Sequence, residues 1–270
     1  SHSLSMTDNW IVVGAKGARQ VFVFKNNGST WATSPVQTLV EDDVDIFGHQ
    51  IDLTDQWLAV AGGNYGSLID GDTVWNSKGV IFMYENVDGI WIPKKWSDGL
   101  MAQTCSYTCL STQLLDGIDP PYTEAQKVTG AVSWRGPLSL SNNYIMASTG
   151  QGQHDSNVYI MENVNGIWQS VPVARYESDY GAPVWGYFGA KPGSLHITDK
   201  WAVVGSWGGQ MVALFHNRDG VWDASGSHTE IQARDKAWNA IRETDQNNFF
   251  GFTVAMNRDS LWVVGSVDTY

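Results

Sequence analysis

A repeated unit constrains this chain more than any other feature. In its second copy, the unit runs from Phe47 to Trp91, with an alternating apolar segment at Ile51 and Leu53 and an apolar run that starts at Trp57. Further copies have their first apolar segments near Leu4, Leu138, Leu195 and Val254. Repetition of a unit of this size predicts a modular architecture, in which neighbouring units bury each other's apolar faces.

Each full unit supplies four short segments, which we name strands A to D in chain order. In the second unit, strand A contains Ile51 and Leu53, B starts at Trp57, C at Val80 and D at Trp91. Period-two alternation and β-branched residues indicate strands, and Asn-Gly or Asp-Gly pairs before strand D favour tight hairpins. Because four-stranded meanders in series are typical of propeller blades, we predict an all-β propeller with four full blades and a partial fifth.

We predict a single β-propeller domain over residues 1–270. The fifth unit contains only strands A and B, so we expect its blade to be completed beyond Tyr270 or by another chain, because open sheet edges template association. An insertion that carries the cysteine pair is expected at 101–135. The expected blades are 4–46, 47–100, 136–187, 188–248 and, in part, 249–270.

The net negative charge of the chain argues against nucleic acids and anionic membranes as partners. The formal net charge is −12, whereas binding to phosphates or to an anionic membrane surface requires clustered Lys and Arg. No apolar run is long enough to span a bilayer. We therefore expect no nucleic acid partner and no membrane insertion; we also predict no cofactor. The expected partner is a protein or a glycan, with other copies or a longer parent chain as further candidates.

Two local motifs bear on the compartment. Cys105 and Cys109 are the two cysteines, and their spacing lacks the other ligands that a zinc site needs. They form either a short disulfide loop or two free thiols, and we favour the disulfide. Asn27 starts an Asn-Gly-Ser glycosylation sequon on a predicted turn. Both motifs favour an extracellular or cell-surface glycoprotein.

Phe-Gly pairs precede strand A, at Phe47-Gly48, Phe188-Gly189 and Phe250-Gly251, and strand B ends in Val-Gly or Val-Ala. In these features the chain resembles the FG-GAP repeat family, which includes the integrin α-chain propellers. The resemblance implies a secreted, integrin-like module with a role in cell adhesion and protein binding. It does not imply calcium binding, because turns such as Thr54-Asp55-Gln56 offer too few oxygens. We predict no metal site.

Long B–C and D–A connections emerge on the same face of a meander, whereas A–B and C–D connections are short. Binding usually develops on long loops at one side of a rigid scaffold. Aromatic planes mixed with carboxylates in these connections suit sugars or peptide side chains. The candidate ligand-binding residues are Tyr65, Asp70, Asp72, Trp75, His154, Asp155, Tyr176, Asp179, Tyr180 and Trp185.

Other aromatic residues recur at equivalent positions, as Trp57 and Trp201 do in strand B and Trp91 and Trp222 in strand D. Such repetition favours packing between blades over ligand contact. The six His residues are scattered, and no G-x-S-x-G or H-E-x-x-H motif is present. We assign no catalytic residues.

Two functions follow from these patterns. We expect a non-catalytic extracellular module for recognition, adhesion or structural assembly, which binds glycan or protein through the face with the long loops. The alternative is a carbohydrate-active propeller enzyme of the glycosidase or sialidase type. Asn26 to Trp31 resembles the second half of the sialidase S-x-D-x-G-x-x-W turn, but the other units lack that spacing.

Overall fold

Antiparallel pairing of short strands builds the whole described structure. The computed structural model describes residues 3–42, 44, 46–63, 68–69, 72–73, 79–99, 102–105, 137–148, 157–177, 188–189, 193–206, 211–224, 229–232, 251–256 and 262–265. The chain divides into two compact units, Ser1–Arg135 and Gly136–Tyr270. We describe each unit by itself.

Unit 1 contains two blades. The first pairs its strands in chain order and has a short 3-10 turn, Lys16–Ala18, between its second and third strands. Its strands are β1 (Ser3–Met6), β2 (Trp10–Ala15), β3 (Gln20–Lys25) and β4 (Gln37–Val40). The second blade comprises β5 (Gln50–Leu53), β6 (Trp57–Gly63), β9 (Gly79–Val87), β10 (Ile90–Lys94) and β11 (Ala102–Cys105), and its B–C connection contains a hairpin of β7 (Leu68–Ile69) and β8 (Asp72–Thr73).

Unit 2 contains two full blades and two strands of a further one. The third blade comprises β12 (Leu138–Leu140), β13 (Tyr144–Ser148), β14 (Asn157–Val164), β15 (Ile167–Trp168) and β16 (Ala174–Glu177). The fourth comprises β17 (Leu195–Ile197), β18 (Trp201–Ser206), β19 (Met211–Arg218), β20 (Val221–Trp222) and β21 (Thr229–Gln232), and β22 (Thr253–Met256) pairs with β23 (Trp262–Gly265). The predicted all-β propeller fold, with four full blades and a partial fifth, is confirmed.

Strand D is divided in three blades, which the sequence did not predict. In the second blade, β10 ends opposite Met83 at Lys94, and β11 continues along the same strand β9, with Ala102 opposite Phe82. The pairs β15–β16 and β20–β21 divide strand D in the same way. The expected insertion at 101–135 therefore begins with residues of the second blade. The domain boundaries themselves stay a prediction.

The C–D hairpins turn through two residues with left-handed backbones. Asp88 has a φ of 53° and Gly89 a φ of 88°, and Val87 pairs with Ile90 across them. Asn165-Gly166 and Asp219-Gly220 repeat this geometry. Two consecutive positive φ values define a type I′ turn, which suits the twist of an antiparallel pair. This is the tight turn that the Asn-Gly and Asp-Gly pairs predict.

An asparagine ties the two short turns of a blade together. Asn86 accepts a 2.9 Å hydrogen bond at Oδ1 from the Gly89 amide and donates one of 2.9 Å from Nδ2 to the Asp55 carbonyl oxygen. Asn217 makes the equivalent bonds to Gly220 and Asp199 in the fourth blade. One amide side chain therefore fixes the A–B turn against the C–D turn.

We expect Asn86→Ala to destabilise the chain by about 1–3 kcal/mol, because it removes both bonds and leaves the Gly89 amide without its acceptor. Asn86→Asp keeps the acceptor oxygen and loses the donor, so its effect should be smaller. Urea unfolding followed by tryptophan fluorescence measures both. Gln56→Ala, at an exposed position in the neighbouring turn, is the control. If Asn86→Ala lowers the free energy of unfolding as little as Gln56→Ala does, Asn86 does not stabilise the contact between the two turns.

Apolar cores lie between consecutive blades in each unit. We call the face that a blade turns towards the next blade its forward face, and the opposite one its backward face. In unit 1, Trp10 on the forward face of the first blade packs edge-to-face against Trp91, with ring centroids 5.5 Å apart. Tyr144 and Trp222 repeat the contact in unit 2 at 5.1 Å. The Nε1 atoms of Trp91 and Trp222 are buried without a conventional hydrogen-bond partner. In edge-to-face packing the edge of one ring lies against the π face of another, and such a face is a weak acceptor for N–H groups.

The Phe-Gly pairs have a packing explanation. A Cβ atom on Gly14, in β2, would lie 2.1 Å from the carbonyl oxygen of Gly48, and one on Gly205 would lie 2.0 Å from that of Gly251. Gly48 and Gly251 themselves have φ values of 80° and 83°. In these two Phe-Gly pairs the glycine thus crosses the glycine that follows strand B's valines in the preceding blade. These paired glycines allow the backbones of two blades to touch.

Candidate functional site

Polar side chains interrupt the apolar A strands at one repeated position. Strand A is an edge of every blade sheet, so one side of its backbone has no partner within its own sheet. Asp52 lies opposite Ala59 on β6, and His196 occupies the equivalent place opposite Val203 on β18. Both side chains are half-buried. Sequence analysis did not select either residue as a site, although a polar residue between two buried aliphatic ones was a usable signal.

In unit 1, a serine from the first blade orients the carboxylate of the second. Ser5 Oγ donates a 2.7 Å hydrogen bond to Asp52 Oδ1, and the Leu53 amide donates another of 2.9 Å to the same oxygen. The carboxylate is therefore held by one group from each blade. Two donors in fixed positions restrict the side chain to one orientation.

Unit 2 uses a serine at the same position differently. Ser139 Oγ accepts a 3.1 Å hydrogen bond from the Ile197 amide, which is the equivalent of Leu53. The serine thus satisfies directly the edge amide that Asp52 satisfies in unit 1. His196 is consequently not needed for that amide.

The aspartates of the A–B turns have a different role. Asp55 accepts hydrogen bonds of 2.5 Å from Thr7 Oγ1 and 3.0 Å from Asn9 Nδ2, both in the first blade. In unit 2, Asp199 accepts a 3.0 Å bond from Asn143 Nδ2. Thr54 Oγ1 meanwhile accepts the Gln56 and Trp57 amides within its own turn. These turn residues join blades, and the turn aspartates are therefore matched controls for Asp52.

Two buried tyrosines bridge blades with their hydroxyl groups. Burial, followed by the charge of Glu41 and a hydrogen bond to it, raises the pKa of Tyr84 well above its ordinary value. Tyr176 stacks on Phe215 with centroids 3.5 Å apart and donates a 3.1 Å bond to the Asp223 carbonyl oxygen. Burial and then the Asp223 charge raise the pKa of Tyr176. Both phenols therefore stay neutral and serve packing.

Tyr176 is one of the predicted ligand-binding residues, and the structure places its side chain in the core between the third and fourth blades. For Asp72, the structure gives only a backbone position in β8. The other predicted members lie outside the described residues: Tyr65, Asp70, Trp75, His154, Asp155, Asp179, Tyr180 and Trp185. The ligand-binding set stays a prediction.

The predicted modification sites are only partly described. Asn27 is exposed on the C–D turn of the first blade, where its backbone amide donates a 2.9 Å hydrogen bond to the Thr30 carbonyl oxygen. The backbone of Cys105 ends β11, and Cys109 lies outside the described residues, so the disulfide stays a prediction. Across the described ranges, no three His, Cys, Asp or Glu side chains are grouped as metal ligands. In the same ranges, no helix has the length and hydropathy of a membrane span.

No protein-family model matches the chain, and no curated protein matches it either. Several solved structures are similar at low identity. A putative 6-phosphogluconolactonase from Bacteroides uniformis has a TM-score of 0.48 and 10% identity, covering 86% of this chain and 55% of the other. The PQQ-bound aldose sugar dehydrogenase of Streptomyces coelicolor has a TM-score of 0.33 and 9% identity, covering 89% and 83%. A GH43 protein of Bacillus licheniformis has a TM-score of 0.25 and 10% identity, covering 90% and 54%. The chain spans about half the length of the lactonase-like protein.

These comparisons correct several expectations. The predicted membership of the FG-GAP, integrin-like family is wrong, because no family model matches and the similar structures named above belong to other propeller groups. The Phe-Gly motif reflects the close approach of blade backbones, which does not require that family. The expectation of a non-catalytic recognition, adhesion or assembly module is contradicted, since the similar structures are named as enzymes. The predicted role in cell adhesion is contradicted for the same reason.

Proposed function

We propose that the chain forms part of a carbohydrate-active propeller enzyme, in which Asp52 on strand A of the second blade contacts the substrate. The observation that carries the proposal is the Asp52 carboxylate, half-buried on an edge strand and oriented by Ser5 and Leu53. Carboxylates held in one orientation are the acids, bases and nucleophiles of glycoside hydrolysis. Neutral, hydroxyl-rich substrates also suit a chain of net charge −12.

Glycoside hydrolysis requires a second carboxyl group several ångströms from the first. The candidates for it in the same unit are Asp70 and Asp72, which lie in the B–C connection of the second blade. In this role Asp52 either transfers a proton or stabilises positive charge on the sugar ring.

The proposal is tested with the full chain and a panel of aryl glycosides and sugar lactones. We expect turnover of at least one of them, and Asp52→Asn should lower kcat by about 100-fold or more, as loss of a proton-transferring group does. Asp55→Asn is the matched control, because Asp55 is also a carboxylate that accepts two side-chain donors from the first blade. It should leave kcat unchanged.

Thermal unfolding of the two variants distinguishes a loss of catalysis from a loss of folded protein. Both donors to Asp52 use Oδ1, which Asp52→Asn keeps, so thermal unfolding of this variant should differ little from that of the parent chain. Asp55→Asn keeps only one of the two oxygens that accept at Asp55, so it should lose about 1 kcal/mol of stability. Absence of turnover by the parent chain on the whole panel would refute the proposal. Equal losses of kcat in the two variants would show that Asp52 acts only through blade packing.

A further inference from the structure

The two hydrogen bonds of Asp52 bear on its charge as well as on its orientation. Ser5 Oγ at 2.7 Å and the Leu53 amide at 2.9 Å both donate to the same oxygen, Asp52 Oδ1. Such donors favour the ionised carboxyl group over the neutral one, because a hydrogen bond to a charged acceptor is stronger. Leu53 is the next residue in the chain, whereas Ser5 lies 47 positions earlier. The contact between the first two blades therefore supplies one of the two donors.

The corresponding serine of unit 2 shows that this bond is not a fixed property of the repeat. There His196 stands in the place of the aspartate, and Ser139 Oγ accepts the Ile197 amide. A hydroxyl group can donate or accept, whereas an amide N–H can only donate. In unit 1 the carboxylate accepts the edge amide, and the hydroxyl of Ser5 donates to the carboxylate. The serine thus acts as a donor where its neighbour is an acid.

The strands packed around Asp52 supply no charge that would compete with these bonds. The described strands β1, β2 and β6 pack on β5, and none of the three contains an acidic or basic residue. Along the chain, the nearest ionisable residues are His49 and Asp55, each three positions from Asp52. Asp55 has its own donors, Thr7 and Asn9. The half-buried position disfavours charge on Asp52, so the hydrogen bonds are what oppose that effect.

We propose that Ser5 is a positioning residue that keeps Asp52 ionised, so that Asp52 is the carboxylate of the catalytic pair and not its acid. The catalytic part of this role rests on the proposed function. In glycoside hydrolysis the ionised member takes a proton from the attacking water or itself bonds to the anomeric carbon, while the neutral member gives its proton to the leaving oxygen. Asp70 and Asp72 are then the candidates for the neutral member.

Carbon-13 NMR titration of the aspartate carboxyl groups in the full chain measures the charge of Asp52 directly. The signal that Asp52→Asn removes identifies this group. In the parent chain it should titrate well below neutral pH. Ser5→Ala removes a donor to the ionised form, so the pKa of Asp52 should rise by about one pH unit. Ser5→Thr keeps the hydroxyl group and should restore the parent value.

Asn9→Ala is the matched control, because it also removes a hydrogen bond from the first blade to a carboxylate of the second, the 3.0 Å bond to Asp55 Oδ2. It should leave the titration of Asp52 unchanged. Thermal unfolding shows that each variant is folded at the temperature of the titration. If Ser5→Ala does not fold, Ser5→Cys replaces it, since a thiol is a weak donor and should shift the pKa in the same direction.

The pH dependence of turnover provides the second measurement. On any substrate that the chain hydrolyses, the acidic limb of kcat/KM should move to higher pH in Ser5→Ala by the same amount as the titration. A purely structural role would lower turnover at every pH instead. Titration of Asp52 near or above neutral pH, or a pKa that Ser5→Ala leaves in place, would overturn the proposal. Absence of turnover together with the expected titration would refute the enzymatic function, but not the effect of Ser5 on the charge of Asp52.

Discussion

Replacement of Trp91 by Ala should destabilise unit 1 by about 3–5 kcal/mol, the range for deletion of a buried tryptophan. Its side chain is 1% exposed and packs edge-to-face on Trp10. Its backbone is also fixed by Gln37 of the first blade, which accepts from the Trp91 amide and donates to its carbonyl oxygen, both at 2.9 Å. The substitution thus opens a cavity in the core between two blades.

Trp31→Ala is the matched comparison, because Trp31 follows the C–D turn of the first blade as Trp91 follows that of the second. Trp31 is only half-buried, so we expect a loss of about 1–2 kcal/mol. Chemical unfolding followed by tryptophan fluorescence measures the free energy of unfolding of both variants. Equal losses would show that the neighbouring blade does not determine the contribution of the strand D tryptophan.

Substitution of Gly205 or Gly14 by Ala should cost about 3 kcal/mol each, the upper end of the range for overpacking. The new Cβ atoms would lie 2.0 Å and 2.1 Å from carbonyl oxygens of Gly251 and Gly48. Backbone lies on both sides of these contacts, so no side-chain rotation can relieve them. The blades would have to separate, which exposes the apolar core between them.

Gly17→Ala is the control for this pair, because no atom lies within 4 Å of a Cβ at that position. It should change the free energy of unfolding by no more than about 0.5 kcal/mol. Thermal and urea unfolding of the three variants test the expectation. Stability of Gly205→Ala close to that of Gly17→Ala would contradict the close approach of the blade backbones.

Local chemistry explains why strands and turns could be predicted. The alternation of Ile51 and Leu53, and the Asp88-Gly89 pair with its two left-handed residues, act within a few positions of the chain. The division of strand D depends instead on where the chain leaves β9 after Lys94 and returns to it at Ala102. That return is a contact between residues distant in the sequence. The sequence therefore predicted the blades but not the second segments of their outer strands.

The candidate site was harder to predict, because equivalent residues in the repeats have different neighbours. Asp52 and Asp55 are three positions apart and both are carboxylates. One lies on an edge strand beside Ser5, and the other receives Thr7 and Asn9 across a turn. Tyr176 lies in a connection that the sequence marks as a long loop, and only the structure places its side chain in the core, where it stacks on Phe215.

By itself, the sequence determined the repeat, the all-β architecture and the tight C–D hairpins, because side-chain alternation and turn residues act locally. The tertiary structure decided which copies of a repeated residue are buried: Leu53 is covered by the blade before it, whereas Met6 is exposed. It also decided that the Phe-Gly pair allows two backbones to touch. These outcomes depend on which blades lie side by side, and that arrangement is a property of the folded chain, which no single repeat contains.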